Sequence, residues 1–284
     1  MRFAGGQRND VTPTAYAEDV ASKKTSLGCG GIAFIIIVGA IVGPFMPDSP
    51  STNSPTDTSE TSSPTPEPTP TDAAPDIPAR AGSAMKVLNR LKVRAMTSGA
   101  GYDREGKFGD AWVDVDGNGC DTRNDMLRRD FESITRTDGC LIYEGVIRDV
   151  YTGKRIDFTR GQTTSLAVQI DHIVALHNAW MTGASNLSQG MRVAFANDPL
   201  NLQAVDGPTN SRKSDSDASW WLPPMRNYQC VYVARQISVK RAYRLWVTPD
   251  EKIAMQAVLT TCPRQKAFQT DYPTRLENGD LYVW

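Results

Sequence analysis

An uncharged apolar stretch near the N-terminus divides this chain into parts that fold under different constraints. Residues 27–46 (LGCGGIAFIIIVGAIVGPFM) are 20 consecutive positions without a single charge. At about 1.5 Å per residue, a helix of this length crosses the roughly 30 Å hydrocarbon core of a bilayer. Four basic residues lie before the stretch, and none follows until Arg80. This bias predicts a single transmembrane helix, with residues 1–26 in the cytoplasm and everything after residue 46 outside.

A cleaved signal peptide is the alternative interpretation of the same stretch. The polar leader of 26 residues is long for an n-region, the apolar run is long for an h-region, and no clear Ala-x-Ala site follows. We therefore favour a retained membrane anchor, with release by cleavage as the alternative.

Residues 47–79 have the composition of an extended linker. They contain 9 Pro and 13 Ser and Thr in 33 positions, with almost nothing apolar to bury. Such a segment predicts a stalk that holds the next domain away from the membrane.

Residues 80–284 are long enough to bury a full core, most simply as one domain. The whole chain has 31 Lys and Arg against 32 Asp and Glu, and residues 1–79 hold 4 and 9 of these. The remainder is 27 against 23, a charge of +4 for the domain. This mild basicity permits a polyanionic partner without proving one, and the composition excludes a highly charged disordered chain or a multi-span membrane protein.

Four cysteines fall in the predicted external domain, where conditions are oxidising. Even numbers of cysteines outside the cytoplasm are typical of disulfides, and four allow three pairings. We favour Cys120 with Cys140 and Cys230 with Cys262, because each pair closes a loop of moderate length. Neither pair has the CxxC spacing of a zinc site; ordinary buried thiols are the alternative.

The periodicity of the domain predicts an α+β fold. Apolar residues recur at helical spacing from Ala84 to Ala95, and a second helix is predicted through residues 126–133. The segment GVIRDVYTGKRIDF predicts a hairpin around a Thr-Gly turn, and SLAVQI predicts a strand that runs into DHIVAL. Two later helices are predicted, the second capped by Thr248 with Pro249 at its first position.

Both histidines of the chain lie in one short stretch. His172 follows Asp171 at the end of a predicted strand, and this pair offers a general base beside a metal ligand. Asn201 lies in the segment NDPLNLQAVDG, and Asn210 is followed by Arg212 and Lys213. His177 is expected to point elsewhere, on the helix that follows.

An Asp-His pair leaving a strand, an Asn in an NLQ loop and a second Asn before x-x-Lys resemble the HNH, or His-Me finger, nucleases. The segments YDREGKFGDAWVDVDGNGCDTRND, IDHIVALHNAW, FANDPLNLQAVDGPTNSRKSD and WLPP are similar to exported bacterial HNH endonuclease family proteins. The domain of those proteins is similar to the C-terminal domain of GmrSD restriction enzymes. The resemblance covers roughly residues 84–263 and implies a ββα-metal core with additional helices.

The resemblance also implies roles for individual residues. His172 would be the general base, Asn201 would fix the loop that holds it, and Asp171 and Asn210 would bind a single divalent metal. Oxygen ligands favour Mg²⁺ or Mn²⁺ over structural zinc. Lys213 and Arg212 are then placed to hold phosphates of the nucleic acid, DNA more than RNA. Many HNH enzymes have His where this chain has Asn210, and a cysteine knuckle where it has DGPTN.

A glycine-rich segment before the second helix has three interpretations. Asp114, Asp116 and Asn118 match the start of an EF-hand loop, which would bind Ca²⁺, although Asp125 stands where Glu is expected. A plain glycine-rich turn is the simpler interpretation. The third places Asp121, Arg123 and Asn124 at the lip of the nuclease cleft, with Arg123 on a phosphate.

The sequence thus predicts a membrane-anchored, metal-dependent endonuclease outside the cell. The main alternative is a non-catalytic surface module that binds nucleic acid or an envelope partner on an HNH scaffold. A contact-dependent toxin with a cognate immunity protein is a third hypothesis. The presence of Asp171, His172, Asn201 and Asn210 together favours the enzyme.

Overall fold

The computed structural model describes residues 83–283. The predicted cytoplasmic tail (residues 1–26), the predicted transmembrane helix (27–46) and the predicted stalk (47–79) all lie outside the described residues. Within residues 83–283, no helix is both long and apolar enough to cross a bilayer.

Residues 83–283 form nine α-helices and five β-strands, interleaved along the chain, so the predicted α+β class is confirmed. The helices are α1 (Ala84–Leu88), α2 (Arg104–Phe108), α3 (Thr122–Asp130), α4 (Leu176–Met181), α5 (Gln189–Asn197), α6 (Gly207–Lys213), α7 (Arg226–Ala242), α8 (Pro249–Thr260) and α9 (Tyr272–Asn278). The strands are β1 (Ser133–Asp138), β2 (Leu141–Arg148), β3 (Arg155–Thr159), β4 (Val168–His172) and β5 (Leu202–Asp206).

The strands make two antiparallel sheets. One has the order β1-β2-β3, and its β2-β3 hairpin confirms the hairpin predicted around the Thr-Gly turn. Gly153 in that turn has φ +76°, a left-handed conformation that glycine adopts without strain. The other sheet pairs β4 with β5, with Asp171 opposite Gln203 and His172 opposite Leu202.

The second sheet continues directly into a helix. Asp206 ends β5 and caps α6, because its Oδ2 accepts a hydrogen bond from the Thr209 amide at 2.9 Å. Pro208 stands in the first turn of α6, where its missing N–H costs nothing. Two antiparallel strands and a helix therefore meet at one place, with α4 and α5 in the connection between β4 and β5.

The longest helix, α7, packs the sheet against the rest of the core. Its buried residues Tyr232 and Ile237 belong to an apolar cluster that includes Ile173, just after β4, and Val205 of β5. The same cluster takes in residues of α1 and α8. The residue that follows β4 therefore packs in the same apolar cluster as three helices, whereas Val168 and Ile170 of β4 pack with residues of α3.

Both predicted disulfides are confirmed. Cys120, just before α3, is bonded to Cys140 in the turn between β1 and β2. Cys230 of α7 is bonded to Cys262, just after α8.

Two predicted helices have different bounds in the structure. The helix predicted over residues 84–95 ends at Leu88, because the next segment pairs its main chain with Val247. The Arg94 amide donates to the Val247 carbonyl and the Val247 amide donates to the Lys92 carbonyl, both at 3.0 Å. The helix predicted over residues 126–133 is α3, which begins at Thr122 and ends at Asp130; Ser133 begins a strand.

A buried ion pair between α7 and α8 gives a test of this packing. Lys240 Nζ lies 2.7 Å from the Glu251 carboxylate, and both side chains are fully buried. Lys240→Met should lower the free energy of unfolding by about 3–5 kcal/mol, because it leaves a buried carboxylate without its cation. Arg241→Met, one residue along on an exposed side chain, should change it by less than about 0.5 kcal/mol. Urea unfolding measures the free energy of unfolding of both variants. Equal losses would show that Lys240 is not the buried partner of Glu251.

Candidate active site

Asp171 lies near the end of β4 with its carboxylate held from two sides. Its Oδ1 accepts a hydrogen bond from Lys213 Nζ at 2.9 Å, and its Oδ2 accepts one from the Tyr151 hydroxyl. Burial, followed by the charge of Asp171, raises the pKa of Tyr151 well above its usual value, so this phenol remains a hydrogen-bond donor. The carboxylate is therefore fixed in one orientation.

Lys213 joins the end of α6 to the end of β4. Its side chain is completely buried, and Nζ donates a second hydrogen bond to the main-chain carbonyl of His172 at 2.9 Å. The family resemblance implies that this residue contacts a phosphate of the substrate. The structure places its ammonium inside the protein, where it compensates the charge of Asp171.

His172 is buried, with 7% of its surface exposed, and its ring stacks on Trp112 at a centroid distance of 6.1 Å. Nε2 lies 2.9 Å from the Ala196 carbonyl, so the proton is assigned to Nε2 and the lone pair to Nδ1. Burial, reinforced by the charge of Arg104, lowers the pKa of His172 to about 3. The imidazole is therefore neutral at pH 7, the form that can accept a proton.

Asn201 holds the chain immediately after His172. Its Oδ1 accepts from the Val174 amide at 2.9 Å, and its Nδ2 donates to the carbonyls of Val174 and Phe195. The Asn201 carbonyl also accepts from the Ile173 amide at 2.7 Å. This fully buried side chain ties the loop before β5 to the exit of β4.

Two arginines that the sequence analysis missed hold the loop that carries Asn201. Arg235 donates to the carbonyls of Pro199, Leu200 and Leu202, and Arg129 donates to those of Pro199 and Leu202. No local pattern marks these arginines, because they come from α7 and α3 and bind the loop through its main-chain carbonyls.

Asn210 faces the same region from α6. Its Nδ2 donates to Gln169 Oε1 at 2.9 Å, which fixes the amide so that Oδ1 remains the available acceptor. Asp171, His172 and Asn210 line one open cleft. The structure thus brings together three of the residues that the sequence singled out, from β4 and α6.

Further residues with polar side chains line this cleft, although the sequence analysis did not assign them to the site. They are Tyr102, Arg104, His177 and Asp215. Arg104 also lines a second pocket on another side of His172, together with Trp112. The segment YDREGKFGDAW, which carries part of the family resemblance, holds Tyr102 and Arg104 and was the available signal for them.

Two predicted phosphate contacts lie apart from the cleft lining. Arg212 is exposed on α6 and donates to Thr209 Oγ1 at 2.7 Å. Arg123 donates to the Val168 carbonyl, at the far end of β4 from His172. Burial lowers the pKa of Arg123, and the charge of Arg160 contributes. Asp121 and Asn124, its predicted companions, are bonded to each other at the start of α3.

The segment with the EF-hand-like pattern folds back on its own amides. Asp114 Oδ2 accepts from the Gly119 amide at 2.8 Å, and Asn118 Nδ2 donates to Asp125 Oδ2 at 3.2 Å. Among residues 83–283, no set of three or more His, Cys, Asp or Glu side chains is arranged to hold a metal ion. The Ca²⁺ site at Asp114, Asp116 and Asn118 stays a prediction.

Replacing the buried Lys213 should lower the free energy of unfolding more than replacing its exposed neighbour Arg212. Lys213→Met leaves the Asp171 carboxylate buried without a cation, so the free energy of unfolding should fall by about 3–5 kcal/mol. Arg212→Met, one residue earlier on the same helix, should change it by less than about 0.5 kcal/mol. Denaturant unfolding compares the two. Similar losses would show that Lys213 is not the buried partner of Asp171.

The burial of His172 predicts a specific pH dependence of stability. The pKa of about 3 in the folded state lies below the usual value of 6.5, so only the unfolded state takes up this proton as the pH falls. Stability should therefore fall below pH 6.5, with a contribution approaching about 1.4 kcal/mol per pH unit. His172→Gln should flatten this part of the profile, whereas His177→Gln should not. If the free energy of unfolding fell equally with pH in the unchanged protein and in His172→Gln, His172 would not be buried as a neutral imidazole.

The similarity of this sequence to known proteins identifies the family of the chain. Residues 121–258 match the family described as GmrSD restriction endonucleases, C-terminal domain. An uncharacterized secreted protein of Arthroderma benhamiae is 37% identical over 190 residues, which are 66% of this chain and 88% of the fungal protein. No solved structure matches the chain. The fungal protein is similar to this chain over most of its own length, and residues 121–258 match the family. The chain therefore belongs to the family of GmrSD restriction endonuclease C-terminal domains.

Proposed function

We propose that this protein is a metal-dependent endonuclease of the HNH type that hydrolyses phosphodiester bonds of nucleic acid, DNA more than RNA. The observation that carries the proposal is the convergence of Asp171, His172 and Asn210 on one cleft. A general base and two oxygen ligands from separate elements are what single-metal hydrolysis of a phosphodiester requires. Family membership supports a nuclease-related function and nucleic acid as the partner.

The elements around the cleft support the ββα-metal interpretation. Strands β4 and β5 are antiparallel, and α6 follows β5 without a break. His172 ends the first strand, and Asn210 lies on the helix. In this interpretation the unit β4-β5-α6 is the catalytic core, and the other helices fix its geometry.

His172 is proposed as the general base. Its neutral ring has Nε2–H bonded to the Ala196 carbonyl, which leaves the Nδ1 lone pair to accept a proton from the attacking water. The His172 ring stacks on Trp112, which restricts its rotation. The Asn201 side chain bonds to the main chain after His172, which fixes the backbone that carries the ring. Asn201 therefore acts as a positioning residue.

The donor atoms at the cleft fit a hard divalent ion such as Mg²⁺, with Mn²⁺ as the alternative. Asn210 Oδ1 would be one oxygen ligand, and the lone pairs of the Asp171 carboxylate that Lys213 and Tyr151 do not use would supply the other. Gln169 holds the Asn210 amide in the orientation that leaves Oδ1 available. Two protein ligands suffice for Mg²⁺, which usually keeps several waters and binds substrate phosphates. When bound, such an ion neutralises the charge that develops on the departing oxygen.

The cations around the site divide into two groups by exposure. Lys213 is buried and orients both Asp171 and the main chain of His172, so we assign it to positioning. Arg104 lines the cleft, and we assign it to a substrate phosphate, with exposed Arg212 on the neighbouring surface. The phosphate contact of Arg123 stays a prediction.

We place the domain outside the cytoplasmic membrane. Two disulfides are typical of oxidising compartments, and the relative from Arthroderma benhamiae is described as secreted. The uncharged stretch of residues 27–46 supports a single-pass anchor with its N-terminus in the cytoplasm.

Cleavage of nucleic acid tests the proposal. The purified protein, with disulfides intact, should degrade plasmid and single-stranded DNA in Mg²⁺ or Mn²⁺, and RNA more slowly. EDTA should abolish degradation. His172→Ala should slow it by about 10²–10⁴-fold, because the general base is lost. Asn210→Ala should raise the Mg²⁺ concentration needed for half-maximal rate.

The control variant is Arg155→Ala, which removes an exposed ion pair with Asp157 on β3, and it should cleave at the rate of the unchanged protein. Binding of DNA without cleavage, insensitive to EDTA, would overturn the proposal in favour of a non-catalytic binding module. Cleavage that survives His172→Ala would overturn the assignment of the base.

A further inference from the structure

A second imidazole shares the cleft with His172. His177 of α4 has its Nδ1 2.7 Å from Asp215 Oδ2, and both residues line the cleft with Asp171, His172 and Asn210. The two partners are 38 residues apart in sequence and come from different elements. The sequence alone predicts that His177 points away from the site.

The surroundings of His177 fix its ring while leaving it accessible. The Tyr102 ring lies at a centroid distance of 4.7 Å and is tilted by 44°. On another side, a Cβ added at Gly99 would lie 2.6 Å from Nε2, so a larger residue there would displace the ring from its present position. The His177 side chain is still 34% exposed. With Nδ1 bonded to Asp215, Nε2 is the nitrogen that can exchange a proton.

The charged and titratable groups near His177 come from two other segments. Asp215 follows α6, and its pKa is lowered first by the hydrogen bond from His177. Tyr102, Asp103 and Arg104 form the other segment; burial raises the pKa of Tyr102, with Arg104 opposing and Asp215 and Asp103 adding to the effect. The carboxylate in direct contact with the imidazole is that of Asp215.

Hydrolysis of a phosphodiester needs a proton donor as well as a base. Water loses a proton when its oxygen bonds to phosphorus, and the sugar oxygen must gain one when its bond to phosphorus breaks. His172 has its Nε2–H committed to the Ala196 carbonyl. A separate donor in the same cleft would allow both transfers in a single step.

We propose that His177, oriented by Asp215, donates the proton to the departing sugar oxygen. The oxygen of water forms the new bond to phosphorus, and its proton passes to Nδ1 of His172. The bond between phosphorus and the sugar oxygen breaks, its electron pair stays on that oxygen, and the proton on His177 Nε2 neutralises it. His172 then releases its proton to solvent, and His177 regains one from solvent, so both groups return to their starting states. This assignment rests on the proposed function.

The test compares two phosphodiesters that differ in their need for a proton. Duplex DNA has an alkoxide leaving group, whereas bis-p-nitrophenyl phosphate releases a phenolate that is stable without protonation. For the full chain with Mg²⁺, His177→Ala should slow DNA cleavage by about 10²-fold or more. It should change hydrolysis of bis-p-nitrophenyl phosphate by less than about threefold. Asp215→Asn should show the same selectivity with a smaller loss.

The pH profile gives a second readout. Cleavage of DNA by the unchanged protein should decline on the alkaline side as His177 loses its proton, and His177→Ala should lack that decline. Arg155→Ala, which breaks an exposed ion pair on β3, should match the unchanged protein on both substrates.

Two other outcomes would overturn the assignment of His177 as the proton donor. Equal losses on the two substrates would show that His177 and Asp215 only hold the structure together, and undiminished DNA cleavage by His177→Ala would show that another group supplies the proton. If the unchanged protein cleaves neither substrate, the proposed function itself fails, which distinguishes that case from a failure of His177 alone.

Discussion

The geometry of the cleft depends on the buried ammonium of Lys213. A single side chain from the end of α6 donates to the Asp171 carboxylate and to the His172 carbonyl, and so joins the helix to the strand at the two residues that carry the proposed chemistry. A buried cation is costly unless it is paired, and here both hydrogen-bond acceptors are at the exit of β4. The position of α6, and with it Asn210, is therefore coupled to the orientation of Asp171.

The other side of His172 is held by groups that bind the main chain. Asn201 bonds to the residues just after His172, and Arg129 and Arg235 hold the carbonyls of the loop that carries Asn201. Asp198, in the same loop, accepts from the Tyr243 hydroxyl at 2.9 Å, and burial raises its pKa. These interactions fix the main chain after His172 and the loop that carries Asn201 before any substrate binds. A preorganised site of this kind is what positional and electrostatic catalysis requires.

The sequence revealed the residues whose chemistry is carried by short motifs. Asp171, His172 and Asn210 lie on elements with clear local signals, and the capping box at Thr248 likewise marked the start of α8. The burial of Lys213 could not be predicted, because a lysine beside an arginine at a helix end is typical of a surface. Arg104 and His177 were missed because their place in the cleft depends on contacts between segments distant in sequence. The same reason explains the early end of α1, which follows from pairing with Val247, and the missed strand β1, whose side chains are mostly exposed and polar.

The claim that Asp171 and Asn210 bind a divalent ion beside His172 can be tested most directly by anomalous diffraction. Crystals of the protein would be grown with Mn²⁺ and a DNA oligonucleotide that carries a non-hydrolysable phosphate linkage. The account predicts an anomalous peak at about 2.0–2.3 Å from oxygen atoms of both Asp171 and Asn210, with a DNA phosphate completing the coordination and His172 facing that phosphate. DNA bound in the cleft without a peak between these two residues, or a peak only at Asp114 and Asp116, would contradict it.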